Sequence, residues 1–356
     1  MPEPVKFGLY LAVLPSYRNA CIEYLRLVLR EDVKIWVSEA HLDSTVRTGI
    51  PAAWFSETRM LRWRGRVFLQ TDHLLAAARA ASLIVDLNPR SLTAWLLLVV
   101  RRLLRRPTAV WGHLHGQNGP TSKTAHLRLL MRRLATGTIV YTYSSKELAK
   151  LELPKQPVFV ASNALYFKRD IFVEDAPQRN SVLYVGRFVQ SKKVDLLIRG
   201  FAVLAQEDNE VQLELVGGGG EEAHLRSLAD ALGISSRVIF HGWKNSPNDL
   251  REIYSRAFTS VSPGFVGLQI TQTIGFGVPI CIARREPHSP EVELATEMNA
   301  EWFDSDDPSS LAGALRRVRS AETTVLRDEL SQTVRDNYSA ERMAEGLIQA
   351  LEGNHP

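Results

Sequence analysis

The residues of this chain best placed to do chemistry are cations beside glycines. In VGRFVQSKK (Val185 to Lys193), Arg187 follows Gly186 and Lys192 closes the run. A guanidinium presents a rigid fork of donors to phosphate and an ammonium a mobile point charge. Together they suit a diphosphate whose negative charge grows as it departs. VGGGGEE (Val216 to Glu222) adds four glycines. Gly217 and Gly219 there permit close backbone approach ahead of a helix whose free N–H groups favour an anion. The run is not a P-loop, because no GK[ST] follows, and it lacks GxGxxG spacing with a later acidic partner. A third stretch, SPGFVGLQITQTIGFGVPI (Ser262 to Ile280), contains no Asp, Glu, Lys or Arg. Gly264 and Gly267 clear space in it, and a helix beginning near Leu268 aims main-chain N–H groups outward. Gln272, about one turn in, suits a hydrogen bond to a ribose or sugar hydroxyl, and equally a buried, satisfied structural amide.

The elements that must carry these residues follow from periodicity. From residue 181 onward the β-rich runs VLYV, QLELV, VIF, FTSVS and PICIA alternate with segments of helical spacing or Gly/Pro punctuation. Val194, Leu197, Ile198, Phe201 and Leu204 fall on one helical face. The first half is similar, with FGLYLAVL, KIWVS, LIVDL, TAVWGH and TIVYTY as strands. Strands alternating with helices predict an α/β chain of two doubly wound, Rossmann-like domains with parallel sheets. The expected boundaries are 1–172 for the first domain and 173–336 for the second, with 337–356 a closing helix, N-capped by Ser339, that packs back toward the first. Ligands of such sheets bind beyond the carboxyl ends of the strands, so an inter-domain cleft is expected.

With 356 residues, 45% hydrophobic and 23% charged, the composition is that of a soluble globular protein with two cores rather than a disordered or fibrous chain. FGLYLAVL faintly resembles a signal-peptide core, but Glu3, Pro15 and the lack of a small-residue cleavage pattern fit a first buried strand. LTAWLLLVV is about half the length needed to cross a bilayer. Cys21 and Cys281 form no disulfide or zinc pattern. No Asp/His set has metal-ligand spacing, and DSDD (Asp304 to Asp307) reads as a helix start, so no metal is expected. Net charge is only +4, yet RRLLRR places Arg101, Arg102, Arg105 and Arg106 within an arc of about 140° on a helix, one basic stripe. RLLMRR (Arg128 to Arg133) follows. Such a stripe is either a solvated face or a dock for anionic lipid, at roughly 1 kcal/mol per basic residue. Aromatic residues for base stacking are not interleaved, which argues against nucleic acid.

In combination the motifs become specific. VGRFVQSKKVDLLIRGFAVL, LELVGGGGEEAHLRSLADALGISSRVIFHGW, SPGFVGLQITQTIGFGVPICIA and DSDDPSSLAGAL, in that order, resemble the donor domain of GT-B glycosyltransferases of family 4. These are retaining enzymes that use nucleotide-activated sugars. LPSYRNACIEYLR, DLNPRSLTAW, WGH and YTYSSKEL followed by VASNAL are similar to the subset acting in bacterial surface-polysaccharide assembly. The resemblance implies that Arg187 and Lys192 contact the donor diphosphate and that Gly217 and Gly219 form the turn beside the nucleotide. It also implies that His113 lies near the transferred sugar, a place for which His115 competes, and that Tyr17 and Arg18 lie where acceptor or donor phosphate is approached. Many members carry a glutamate, seven residues, then a second glutamate; here those places are Gly264 and Gln272. Glu291 of a PEV motif is then the candidate substitute carboxylate, or simply a helix-start acid. The implied function is transfer from a GDP- or UDP-linked sugar to a lipid-linked glycan by a cytoplasmic protein on the inner membrane face, without metal. A catalytically idle nucleotide-sugar-binding subunit is the rival reading.

Overall fold

A computed structural model describes residues 5–43, 46–115, 122, 124–321 and 327–353. The chain divides into two compact units, Met1–Leu165 with Ser339–Pro356, and Tyr166–Tyr338. The join at Leu165/Tyr166 precedes the expected boundary. The reason is that Tyr166 packs on Phe276 of the second unit and Asp170 accepts from Arg251 there.

The first unit opens with β1 (Phe7–Tyr10), α1 (Asn19–Leu29), β2 (Val33–Val37) and the short β3 (Ser56–Glu57). An antiparallel hairpin, β4 (Met60–Trp63) and β5 (Val67–Gln70), stands apart from the main sheet. There follow α2 (Leu74–Arg79), β6 (Ser82–Asp86), α3 (Leu92–Leu103), β7 (Thr108–Trp111), α4 (Ala125–Leu134), β8 (Gly137–Val140), α5 (Tyr143–Glu152) and β9 (Val158–Val160). The sheet order is β3-β2-β1-β6-β7-β8-β9, with every pairing parallel. Its strands are apolar on both faces because helices cover both. Leu9, Ile35, Ile84 and Ile139 bury on the side of α1, while Leu83, Val85 and Val110 bury with Leu97 and Leu98 of α3.

The second unit contains β10 (Ser181–Val185), α6 (Val194–Glu207), β11 (Gln212–Val216), α7 (Glu222–Ala231), β12 (Val238–Gly242) and α8 (Pro247–Arg256). It continues with β13 (Ala257–Ser262), α9 (Gln269–Gly275), β14 (Ile280–Ala283), β15 (Ala300–Phe303), α10 (Pro308–Ser320) and α11 (Arg327–Asn337). The order β12-β11-β10-β13-β14-β15 is again all parallel. The α6 face foreseen from its spacing is buried at Val194, Leu197, Ile198, Phe201 and Leu204, where it packs against Leu311 and Leu315 of α10. Asp307, in the DSDD run, caps α10 by accepting from the N–H groups of Ser309 and Ser310. The final helix, α12 (Ala340–Glu352), belongs to the first unit. Ser339 caps it, and it packs on α1 through Met343, Leu347 and Leu351.

The arginine stripe is corrected. Helix α3 stops at Leu103, and Arg105 adopts a left-handed φ of 54°, so the four arginines do not share a helical face. Arg101 is fully enclosed. Its Nε donates to Thr108 Oγ1 at 2.7 Å, Nη1 to the carbonyls of Ala77, Ala78 and Ala80, and Nη2 to that of Pro107. It is a clamp on the turn after α2, unavailable to lipid. Arg106 is half-buried on the carbonyls of Arg79 and Ala80, leaving Arg102 and Arg105 exposed. In the second cluster Arg132 is buried against Glu152, and Arg128 bonds the carbonyls of Leu87 and His113.

Candidate functional site

Doubly wound sheets leave a crevice where strand order reverses, because the crossovers on either side lead the chain apart. In the second unit that point lies between β10 and β13, and the loops following these two strands are the cation turn and the acid-free loop. Both strands deliver their loops to the carboxyl edge of the sheet.

The cation turn is held by the glycine run. Gly186 N–H donates to Val216 O and Phe188 N–H to Gly218 O, both at 2.9 Å. A Cβ on Gly217 would stand 1.9 Å from Gly186 O, and one on Gly219 would stand 2.3 Å from Phe188 O. The glycines are there so that two neighbouring turns can touch backbone to backbone. Arg187, at the apex, is exposed and its side chain forms no hydrogen bond or ion pair with the described residues. Lys192 ends a short 3₁₀ turn (Gln190–Lys192) and donates from Nζ to Phe265 O at 2.6 Å, over the Phe265 ring. No carboxylate among the described residues pairs with it, whereas Lys193, next in sequence, is left-handed at φ 51° and bonded to Glu286 and Asp306. Burial, reinforced by the nearby Arg187 charge, pulls the Lys192 ammonium down to about 8.

The acid-free loop has its own reason. A Cβ on Gly264 would lie 2.5 Å from Ser191 O, so a larger residue, the glutamate of the resemblance included, does not fit this packing. Gly267 is open by comparison, its Cβ position meeting only the Phe265 ring edge at 3.4 Å. Leu268 precedes α9, which spans only seven residues and has no side-chain cap. His288 ties the loop down. Its Nδ1 accepts from Val266 N–H at 3.2 Å and its Nε2 lies 2.8 Å from Ala283 O, an arrangement that requires the neutral ring. Burial accordingly lowers its pKa.

Gln272 has the contacts of the structural alternative. It is buried, its Oε1 accepting from the Tyr254 hydroxyl at 3.2 Å and its Nε2 donating to the Tyr166 hydroxyl. Each end of the amide thus has a protein partner that fixes its orientation between the two tyrosines. Glu291 is buried in a 3₁₀ turn (Pro290–Leu294) packed against α9.

The first unit has an equivalent edge, with strand order reversing between β1 and β6. Ala12 N–H donates to Asp86 Oδ2 at 2.5 Å across that reversal. Burial raises the Asp86 carboxyl to about 7. Arg18 ends a 3₁₀ turn (Ser16–Arg18), places its guanidinium carbon over the Trp111 ring at 4.3 Å and donates from Nη2 to the Tyr141 hydroxyl at 2.9 Å. Tyr17 lies 5.5 Å from the Arg18 guanidinium. His113 is exposed just past β7, its ring 4.7 Å from that of Tyr141. His115 is instead turned inward, 3.6 Å from Glu152. Tyr17, Arg18 and His113 are thus brought together, with Asp86 and Tyr141 as members the sequence reading missed. Asp86 was legible as the acid ending an apolar strand in LIVDL.

Residues 167–337 match the family model described as glycosyl transferases group 1. That match spans nearly the whole of the second unit, which is therefore similar to group 1 glycosyl transferases. Lipopolysaccharide 1,6-galactosyltransferase of Salmonella typhimurium is 27% identical over 191 residues, covering 51% of this chain and 52% of that protein. The lipopolysaccharide core biosynthesis glycosyltransferase LpsD of Rhizobium meliloti is 30% identical over 174 residues, covering 47% and 48%. The chain spans about half the length of the curated relatives it matches. In three dimensions Anabaena Alr3699/HepE, solved in complex with UDP, aligns at a TM-score of 0.68 and 13% identity, over 98% of this chain and 100% of that one. The fold is that of GT-B glycosyltransferases.

Proposed function

We propose that this protein is a retaining glycosyltransferase that moves a sugar from a GDP- or UDP-linked donor to a hydroxyl of a lipid-linked glycan in lipopolysaccharide or related surface-polysaccharide assembly. The observation that carries the reading is the pair Arg187 and Lys192, two cations without carboxylate partners among the described residues, at the strand-order reversal of the unit that is similar to group 1 glycosyl transferases. The lipopolysaccharide enzymes among its relatives support the pathway class, and the UDP held by HepE supports the donor class.

In this reading the bond from the anomeric carbon to the diphosphate breaks as the two cations take up the charge developing on the leaving oxygen. The acceptor oxygen bonds to the same carbon, and its proton passes to the leaving phosphate. No protein carboxylate or metal ion is then required, which accommodates Gly264. That glycine is explained by its packing on Ser191 rather than by lost function, so it does not favour an idle binding subunit. In this reading His113, exposed beyond β7, is the residue that meets the transferred sugar. We place the protein on the cytoplasmic membrane face, docked through Arg102 and Arg105 with Leu103, 79% exposed, and Leu104 between them. No helix among the described residues is long and apolar enough to cross a membrane.

Calorimetry with UDP and GDP, each with and without EDTA, tests the donor side. One nucleotide should bind in both conditions, and Arg187→Ala should weaken it at least tenfold. Absence of binding by either nucleotide would end the proposal.

A further inference from the structure

The β4–β5 hairpin of the first unit is anchored on one face and bare on the other. Gln70, buried at the end of β5, reaches from Nε2 to Leu11 O just past β1, to Ser38 Oγ just past β2 and to Thr58 Oγ1. Its N–H and carbonyl both bond the Thr93 hydroxyl in the first turn of α3. Phe68, also buried, gives its N–H to Arg90 O. These ties fix the base of the hairpin at the carboxyl edge of the sheet. Side chains alternate along a strand, so Leu61 and Trp63 of β4, opposite Leu69 and Val67 of β5, lie on the other face. That face is uncovered, with Leu61 59% and Trp63 70% exposed.

Four arginines accompany it. Arg59 pairs with Asp72 at 3.7 Å and Arg62 donates to Ala40 O, but the Arg64 and Arg66 side chains make no hydrogen bond or ion pair with the described residues. The turn strains Arg64. Arg66 N–H donates to Trp63 O at 3.0 Å around Arg64 at φ 49° and Gly65 at φ 64°, a left-handed pair for which Asn-Gly is preferred. From Arg59 to Leu69 there is no Asp, Glu, Asn, Gln, Ser or Thr. A sugar, whose hydroxyls donate as well as accept, finds no acceptor side chain here, and a second copy of this face would set arginine against arginine. An anionic bilayer matches it better: indole sits at headgroup depth, aliphatic side chains reach the acyl boundary, and guanidinium groups meet lipid phosphate.

We propose that the β4–β5 hairpin is a membrane-inserting wedge, which seats Leu61 and Trp63 in the headgroup layer of an anionic bilayer and holds lipid phosphate with Arg64 and Arg66. It is a different contact from the dock at Arg102 and Arg105. β5 is bonded to Thr93 in the first turn of α3, and Arg102 lies about 14 Å further along that helix at 1.5 Å per residue. Contacts at both ends lay α3 along the bilayer and bring the carboxyl edge of the first unit's sheet to the lipid surface. The wedge deepens the membrane placement proposed above and rests on it, but it does not depend on sugar transfer.

The test is co-sedimentation and tryptophan fluorescence of the full chain on phosphatidylglycerol/phosphatidylcholine vesicles, with and without lipid brominated along the acyl chain. Brominated lipid should quench the bound parent, and Trp63→Phe, still bound, should lose most of that quenching. Arg64→Asn should bind about fivefold more weakly, the worth of one basic side chain at an anionic surface, yet melt no lower than the parent, because Asn suits the turn. Leu61→Ser with Trp63→Ser should weaken binding at least tenfold with a parent-like melt. Arg102→Glu with Arg105→Glu should leave the quenching per bound molecule unchanged. Quenching undiminished in Trp63→Phe, or binding unchanged in both Arg64→Asn and the serine pair, overturns the wedge and leaves the dock on α3 standing. Equally tight binding to single-stranded DNA or polyglutamate, weakened in Arg64→Asn, overturns it by assigning the face to another polyanion. A parent that binds no vesicle overturns wedge and membrane placement together, while calorimetry with UDP and GDP still decides the transferase reading by itself.

Discussion

Gly264 is seated on the carbonyl of Ser191: a Cβ at residue 264 would stand 2.5 Å from that oxygen and 3.0 Å from the carbonyl carbon of Lys192. The contact is backbone on both sides, so neither side chain can move to relieve it. It also sets where Lys192 stands, because the Lys192 ammonium reaches across the same junction to Phe265 O.

Gly264→Ala is therefore expected to part the two loops. Overpacking of this kind costs about 1 to 3 kcal/mol, readable as a lower melting temperature. Donor affinity should fall about tenfold with it, because the Lys192 ammonium is displaced. A variant with parent-like donor KM would show that the junction does not position the lysine.

The Arg187 side chain makes no hydrogen bond or ion pair with the described residues, so Arg187→Ala should leave the melting temperature unchanged. Turnover should drop by about 10² to 10³, as when one preorganised donor to a developing anion is removed. Steady-state kinetics and a thermal melt on the same preparation check both halves.

Lys192 ties donor binding to pH. With the free ammonium at about 8, the charged form dominates below that value and is lost as pH rises through it. A bound diphosphate favours the charged form, so nucleotide binding near pH 8 should take up a proton and weaken toward pH 10. Lys192→Arg, which does not deprotonate in this range, should flatten the alkaline fall. Calorimetry in buffers of different ionisation enthalpy reads the proton directly.

Arg101 and its neighbours separate stability from membrane docking. Arg101→Met leaves four main-chain carbonyls and Thr108 without this donor, and at about 1 to 3 kcal/mol for each buried acceptor left unpaired a marked loss of stability is expected. Binding of the folded fraction to vesicles containing phosphatidylglycerol should not change. Arg102→Glu with Arg105→Glu should do the reverse, weakening co-sedimentation several-fold in low salt while leaving the melt near that of the parent. Equal binding to neutral vesicles would remove the electrostatic dock.

The sequence carried the architecture a long way. Both interleaved sets of apolar runs became parallel sheets, and the face of Val194, Leu197, Ile198, Phe201 and Leu204 is the one that packs on α10. What escaped were edge elements. The strands β3, β9 and β15 and the hairpin β4–β5 are short or half-exposed, so neighbouring strands rather than an apolar run define them. The arginines misled for a related reason. Counting residues on a helix assumes that the helix continues, and α3 ends before Arg105.

At the site, residue types alone supplied a cation pair and glycine turns of the kind that suit a phosphate-like group, because charge and backbone freedom are properties of the residues themselves. Only the tertiary structure decided which candidates are free to bind. Arg187 and Lys192 lack carboxylate partners among the described residues. Lys193 is held by Glu286 and Asp306, Gln272 by Tyr166 and Tyr254, and Arg101 by the turn carbonyls. Availability depends on what lies across space, up to 113 residues away for Lys193 and Asp306, and spacing along the chain does not encode that.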